Sequence, residues 1–187
     1  MAASVIPPMQ QPQLTVREIQ EADLPLITDY WLTAAPEYLQ AMGVDLNKMP
    51  GREQWLSMLA EQLHQAYPQK KSYCIIWLLA GEPVGHCNVN RIIFGEEAYM
   101  HLHIWYARVR SLRLGPEFIQ LTLPYFFTHL QLQKICCEPY AQNPSPNKAL
   151  AKAGFTFIKQ INATIPGLLN FEQTVAHWEI TRPPLTT

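Results

Sequence analysis

His101 and His103 stand two residues apart in the apolar run "AYMHLHIWYA", a spacing that puts both imidazoles on one face of an extended strand beside Tyr99 and Trp105. An imidazole ordinarily titrates near pH ~6.5, so either ring is suited to taking a proton from a reacting group, directly or through a water. Glu97, at the head of the same run, offers a carboxylate for the same task, although its place after "GE" also suits a turn. The histidine pair lacks a third ligand at workable spacing, so no metal site is expected. Directly downstream, "WYARVRSLRLGPEFI" (Trp105 to Ile119) sets Arg108, Arg110, Arg113 and Gly115 between a strand-like run and a helical one, with Pro116 where the helix should start. Such a turn gathers unpaired N–H groups at the positive end of a helix dipole and suits an anionic ligand. Taken locally, the same residues also fit a packed strand and a solvated basic turn.

These side chains need a scaffold, and the hydrophobic periodicity supplies one. "LTVREI" (Leu14 to Ile19) alternates as a half-buried strand does, and "EADLPLITDYWLTA" follows with helical spacing and an acidic start. Between Pro36 and Ala66 a second helical pattern at Trp55, Leu56, Leu59 and Leu63 follows "KMPGRE", which predicts a pair of short helices over one sheet edge. "SYCIIWLLA", "VGHCNVNRIIF" and "AYMHLHIWYA", separated by "GEP" and "GEE", read as three adjacent antiparallel strands. "GPEFIQLTLPYFFTHLQL" reads as a largely buried helix, begun by Pro116 and bent at Pro124. "KICCEPYA" is a strand, "PSPNKALAKAG" a short helix stopped by Gly154, and "FTFIKQIN" and "QTVAHWEI" the closing strands. The sum is an α+β protein: a mixed, mostly antiparallel sheet of seven strands flanked by about four helices.

With 187 residues, of which 48% are hydrophobic, the chain can bury one sizeable core. A single domain is expected over residues 13–181, with poorly ordered tails at 1–12 and 182–187. The net charge of −1 gives none of the field that a sequence-independent nucleic-acid binder needs. Neither a secretory signal nor an apolar run of membrane-spanning length is visible, so a cytoplasmic protein without membrane partners is expected, as a monomer or homodimer. Cys74, Cys87, Cys136 and Cys137 sit in apolar runs without C-x-x-C spacing, which predicts small packing residues in a reducing compartment.

The order of elements and two local patterns together resemble the GCN5-related N-acetyltransferase superfamily, over roughly Leu14 to Ile180. The family's phosphate loop, [Q/R]-x-x-G-x-[G/A], is matched by Arg110-Ser111-Leu112-Arg113-Leu114-Gly115, and its Asn before a short helix ending in Gly-Phe by Asn143, with Asn147 inside the helix and Gly154-Phe155 at its end. The resemblance implies a sheet splayed between strands 4 and 5 (the acyl-CoA N-acyltransferase fold) and transfer of an acetyl group from acetyl-coenzyme A to the primary amine of a small molecule or peptide. It places the pantetheine and thioester against the backbone at Trp105 and Tyr106, the diphosphate on the loop from Arg110 to Gly115, and Asn143 and Asn147 along the pantetheine arm. Asn143 serves equally as a helix cap.

Two departures from the family stand out. Arg113 replaces the first loop glycine and Pro116 lacks an N–H, so the guanidinium of Arg113 or Arg110 is expected to replace lost backbone donors. Leu150 stands where many members carry the tyrosine that protonates the leaving thiolate, leaving Tyr140 as the candidate acid and His101 or His103 as the candidate base. The acceptor wall implied by the resemblance includes Tyr30, Trp31, Tyr38, Trp55, Asp29, Glu37, Asp45 and "ATIPGLLNFEQ". The same departures fit a second reading, an acyl-coenzyme A binding or sensing module without turnover.

Overall fold

A computed structural model of the protein describes residues 13–163 and 169–184. Seven strands form one sheet in the order β1-β2-β3-β4-β5-β7-β6: β1 (Leu14–Glu18), β2 (Ser72–Leu79), β3 (Glu82–Ile93), β4 (Glu97–Ile104), β5 (Lys134–Cys137), β6 (Thr156–Ala163) and β7 (Gln173–Thr181). All neighbouring pairs are antiparallel except β4 and β5. That parallel pair holds register only from Glu97↔Lys134 to Tyr99↔Cys136. Beyond it the strands part, and the Cys137 thiol reaches across to the Met100 carbonyl (3.1 Å). The open, mixed seven-stranded sheet is the one expected. The helices number six among the described residues rather than about four: α1 (Leu24–Thr33), α2 (Pro36–Ala41), α3 (Arg52–Leu63), α4 (Ala107–Arg110), α5 (Gly115–His129) and α6 (Pro144–Lys152), with three additional 3-10 turns. The extra members are short, and α4 lies in the basic turn, where no apolar period announces a helix.

Strand alternation divides the core in two. One face of the sheet packs Ile75, Trp77, Val89, Met100 and Ile135 against Phe118, Ile119, Phe126 and Leu150 of α5 and α6. Trp77 stacks on Phe118 at 4.9 Å and donates its indole N–H to Thr122 Oγ1 (2.8 Å), which seats α5 on the sheet and satisfies the buried donor. Pro124 falls on the exposed side of α5, as does Gln120, so the ladder hydrogen bond that the proline cannot donate is lost on the solvent side of the helix. The opposite face packs Cys74, Ile76 and Trp105 against Ile27, Tyr30, Trp31 and Trp55 of α1 and α3. Gly154, at φ +97, ends α6 in the left-handed region, and the following Phe155 N–H returns to Leu150 O (3.1 Å).

All four cysteines are free and buried. No helix among the described residues is long and apolar enough to cross a membrane. Residues 1–12 and 185–187 of the expected tails lie outside the described residues, and residues 182–184 carry no regular structure.

Candidate active site

The polar face of β4 carries Tyr99, His101 and His103, and the antiparallel register with β3 lays His86 directly beside His103. The two imidazoles stack at 4.8 Å. Trp105, just past the strand, donates its indole N–H to His86 Nδ1 (2.7 Å), which places the proton of the neutral ring on Nε2. Tyr30 of α1 brings its hydroxyl to His103 Nδ1 (3.3 Å) and lies 3.4 Å from the hydroxyl of Tyr38 on α2. Arg110 caps this line, its guanidinium 4.2 Å from the Tyr38 ring centroid. One polar chain thus runs from the middle of the sheet to the basic turn: His86, His103, Tyr30, Tyr38, Arg110.

Burial sets the charge state of this chain. Removal from water lowers His86 to about 3, with His101 nearby adding to the effect. The same cause, reinforced by His86 and His101, puts His103 well below its ordinary value. His101 is exposed and donates from Nε2 to Asn90 Oδ1 (3.1 Å); neighbouring protein and the charge of Arg91 lower its pKa, an effect that solvent at the ring screens. Desolvation raises the Tyr30 phenol, so its hydroxyl stays protonated and available as a donor to His103. The histidines are therefore neutral at physiological pH. Glu97 is committed to an ion pair with Lys134 (2.8 Å).

The basic turn comes next. Arg110 does not point outward: its guanidinium donates to the carbonyls of Ile104 (2.9 Å) and Trp105 (3.3 Å) and holds the end of β4. Arg113 is the exposed guanidinium of the loop, and its backbone lies at φ +59, in the left-handed region for which the motif glycine is suited. Arginine thus keeps the loop conformation at a cost. Arg113→Gly is expected to stabilise the fold by about 1 kcal/mol, read as a higher urea midpoint with an unchanged slope. Ser111 Oγ donates to Arg108 O (2.7 Å), and Leu112 is exposed. Gly115 opens α5, where an added Cβ would stand 3.6 Å from Ala149 of α6. The N–H groups of Leu114, Gly115 and Glu117 find no acceptor among the described residues, as the first turn of a helix requires. These donors and Arg113 fit a diphosphate.

At the end of β4 the N–H of Trp105 is bonded to Val84 O (2.9 Å) and is not a free donor. Alternation along the strand turns the N–H groups of Leu102 and Ile104 the other way, toward β5 and the parting of the sheet. Gly85 permits this approach of β3 to β4, since a Cβ there would meet the His103 carbonyl at 2.4 Å. Tyr106 follows as the residue before α4, its ring under the Arg108 guanidinium at 4.6 Å. Across the gap, Tyr140 bridges to Val175 and donates its hydroxyl to Gln142 (3.1 Å). Asn143 caps α6, its side chain accepting from the Ser145 N–H (3.2 Å). Asn147 is bonded on both sides, donating to the carbonyls of Asn143 (2.7 Å) and Tyr140 (3.2 Å) and accepting from the Trp178 indole (2.8 Å). It locks α6 to β7.

A cavity of about 310 Å³ lies beside this chain, walled by Tyr30, Tyr38, Trp105, Tyr106, Asp29 and Arg110 among others. Of the aromatic residues expected at an acceptor wall, Tyr30 and Tyr38 reach it, whereas Trp31 and Trp55 stack on each other at 5.5 Å in the core. Asp29 is paired with Arg52. Asp45 caps the turn at Leu46 and borders a different hollow, and Glu37 is exposed. Of "ATIPGLLNFEQ", residues 164–168 lie outside the described residues. His86 is the site residue that sequence reasoning missed. It reads as one more member of an alternating strand, and only the β3–β4 register brings it to His103.

An open mixed sheet parted beyond one parallel strand pair, with the bare first turn of a helix beside the parting, defines the N-acyltransferase class. The sequence matches the acetyltransferase (GNAT) domain over residues 13–156, well over half of the chain, and the protein belongs to that family of acyltransferases. Among solved structures the fold is similar to aminoglycoside acetyltransferase AAC(6')-Ib in complex with coenzyme A, at 16% identity and a TM-score of 0.68, covering 91% of this chain and 95% of that one. It is also similar to spermidine N-acetyltransferase from Vibrio cholerae in complex with coenzyme A and spermine, at 17% identity and a TM-score of 0.72, covering 90% and 95%. Among curated proteins none matches.

Proposed function

We propose that the protein transfers an acetyl group from acetyl-coenzyme A to the primary amine of a small molecule or peptide. The observation that carries this reading is the continuity of three features: the bare helix start at Leu114 to Glu117, the parting of β4 from β5, and the cavity beside Tyr30 and Tyr38. The similar solved structures, an aminoglycoside and a spermidine acetyltransferase, carry coenzyme A and favour an amine acceptor. The N–H groups at the start of α5 and the Arg113 guanidinium would hold the diphosphate. The N–H groups of Leu102 and Ile104 would bind in the gap, where donors can meet charge developing on a carbonyl oxygen. Acetyl-coenzyme A supplies the activated acyl group as a thioester.

The protein's own part is to seat the amine and remove its proton. A free alkylammonium, with pKa ~10, is too weak an acid for histidines as weakly basic as these, so the amine must arrive neutral. Once its nitrogen has bonded to the acyl carbon, that nitrogen is far more acidic. A neutral imidazole then suffices, and the route from the cavity is Tyr38, Tyr30, His103. Tyr140, just beyond β5, is the candidate to protonate the leaving sulfur, although thiolate is stable enough to leave without an acid.

Release of free thiol from acetyl-coenzyme A, measured across a panel of amines, tests this reading. Amine-dependent thiol is expected, with kcat/KM rising with pH as the acceptor amine loses its proton and with no inflection near pH ~6.5, because the histidines are already neutral there. Thermal stabilisation by coenzyme A without amine-dependent thiol would instead assign a binding or sensing module.

A further inference from the structure

A second cluster of reactive side chains lies on the same sheet face, at the β5–β7 pairing and outside the chain just described. Cys136 and Glu179 are directly opposite in the antiparallel register, and His177 precedes Glu179 by two residues on β7, so all three side chains share one face. Their ligand atoms lie within 4.8 Å of one another: Cys136 Sγ is 4.0 Å from Glu179 Oε1, and His177 Nε2 is 3.0 Å from the same oxygen. A tetrahedral zinc ion, with bonds of roughly 2.3 Å to sulfur and 2.0 Å to nitrogen or oxygen, spaces its ligand atoms by roughly 3.3–3.5 Å. Movements of about 1 Å or less at most contacts would therefore close the site, without a change of strand register.

The surroundings favour a cation. Cys136 is 1% exposed and His177 8%, so both donors are held by packing. On the far side of the imidazole, Glu138 Oε1 lies 2.9 Å from His177 Nδ1, the arrangement in which a carboxylate fixes the ring of a metal-bound histidine and directs its other nitrogen to the ion. Three carboxylates gather here, those of Glu97, Glu138 and Glu179. Among the described residues two permanent cations balance them: Lys134, at 2.8 Å from Glu97 and 3.3 Å from Glu179, and Arg91, at 3.8 Å from Glu138. Lys134 can keep Glu97 while Glu179 turns to an ion. Mixed sulfur, nitrogen and carboxylate donors select a borderline-soft divalent metal over magnesium or calcium.

We propose that Cys136, His177 and Glu179 bind one divalent ion of the zinc class, with Glu138 orienting His177, and that this ion pins β5 to β7 beside the parting of the sheet. The fourth position is left to water. The test uses the full chain, stripped with a chelator and titrated with Co2+ and then with Zn2+. Expected are uptake of about one equivalent of Co2+ with a near-ultraviolet thiolate-to-cobalt band, displacement by Zn2+, and a rise in the unfolding midpoint with Zn2+. Cys136→Ser should remove the band, and Glu138→Ala should weaken affinity about 10–100-fold. A wild-type cobalt complex without the thiolate band overturns the proposal irrespective of how the variants fold, and so does a band that survives in Cys136→Ser, since it would come from another cysteine. The readout is independent of acetyl transfer, so its failure leaves the proposed activity untouched.

Discussion

His103→Ala is expected to lower kcat for amine acetylation about 10²–10⁴-fold while leaving affinity for coenzyme A close to that of the parent. His103 lies on the polar face of β4 and is joined to the cavity through Tyr30, whose hydroxyl is 3.3 Å from Nδ1. If the route of the proton is Tyr38, Tyr30, His103, then Tyr30→Phe breaks the same route one link earlier. The double variant should therefore be little worse than either single one, because groups that act as a unit are not additive. Additive losses would mean that the two side chains serve separate purposes. An unchanged kcat in His103→Ala would remove the relay altogether and return attention to the exposed His101. Single-turnover rates of the purified variants, with coenzyme A binding measured alongside, distinguish these outcomes.

Mild acid is expected to destabilise the protein well before its carboxylates titrate. His86, at about 3 and fully buried, and His103, half-buried and well below its ordinary value, are held neutral by removal from water, whereas in the unfolded chain each binds a proton below pH ~6.5. The unfolded state thus carries more bound protons throughout the interval below about 6.5, and stability must fall as pH falls. At pH 5.5 buried His86 costs about 1.4 kcal/mol relative to neutral pH, and half-buried His103, partly screened by solvent, adds up to about the same. His101 is left out because solvent at its exposed ring screens the effect. Urea unfolding at pH 7.5 and 5.5 reads the difference directly. His86→Gln should flatten the dependence by about half, and a wild-type stability independent of pH over this interval would contradict the buried, neutral assignment.

The periodic segments made the fold legible. A short apolar run such as "CIIWL", bounded by turn residues and rich in β-branched and aromatic types, favours a strand buried on both faces, and the length and spacing from Phe118 to Phe127 favour a helix laid on the sheet. Caps were legible for the same local reason: Gly154 and Asn143 do in space what their types favour in sequence. The strain at Arg113 was also foreshadowed, because the motif position calls for glycine and the backbone there has the positive φ that glycine suits.

What stayed hidden depends on long-range register. His86 joins His103 through strand pairing, and Tyr30 reaches the same ring from α1, dozens of residues upstream. Arg110 sits in a motif that suggests phosphate, yet a short helix turns its guanidinium inward onto the end of β4. Cys136 shows no ligand spacing to His177 and Glu179 because α6 and β6 intervene in the chain, while the β5–β7 ladder sets Cys136 opposite Glu179. The N–H groups facing the gap are a matter of strand alternation: once Trp105 is fixed to Val84, its neighbours must point the other way.

Co-crystallisation with coenzyme A locates the cofactor outright. The diphosphate is expected against the N–H groups of Leu114, Gly115 and Glu117 with the Arg113 guanidinium alongside, and the pantetheine thiol in the gap past Tyr99, facing Leu102 and Ile104. A diphosphate bound elsewhere on the molecule, or a thiol directed away from that gap and from the Tyr30–Tyr38 cavity, would overturn the proposed site.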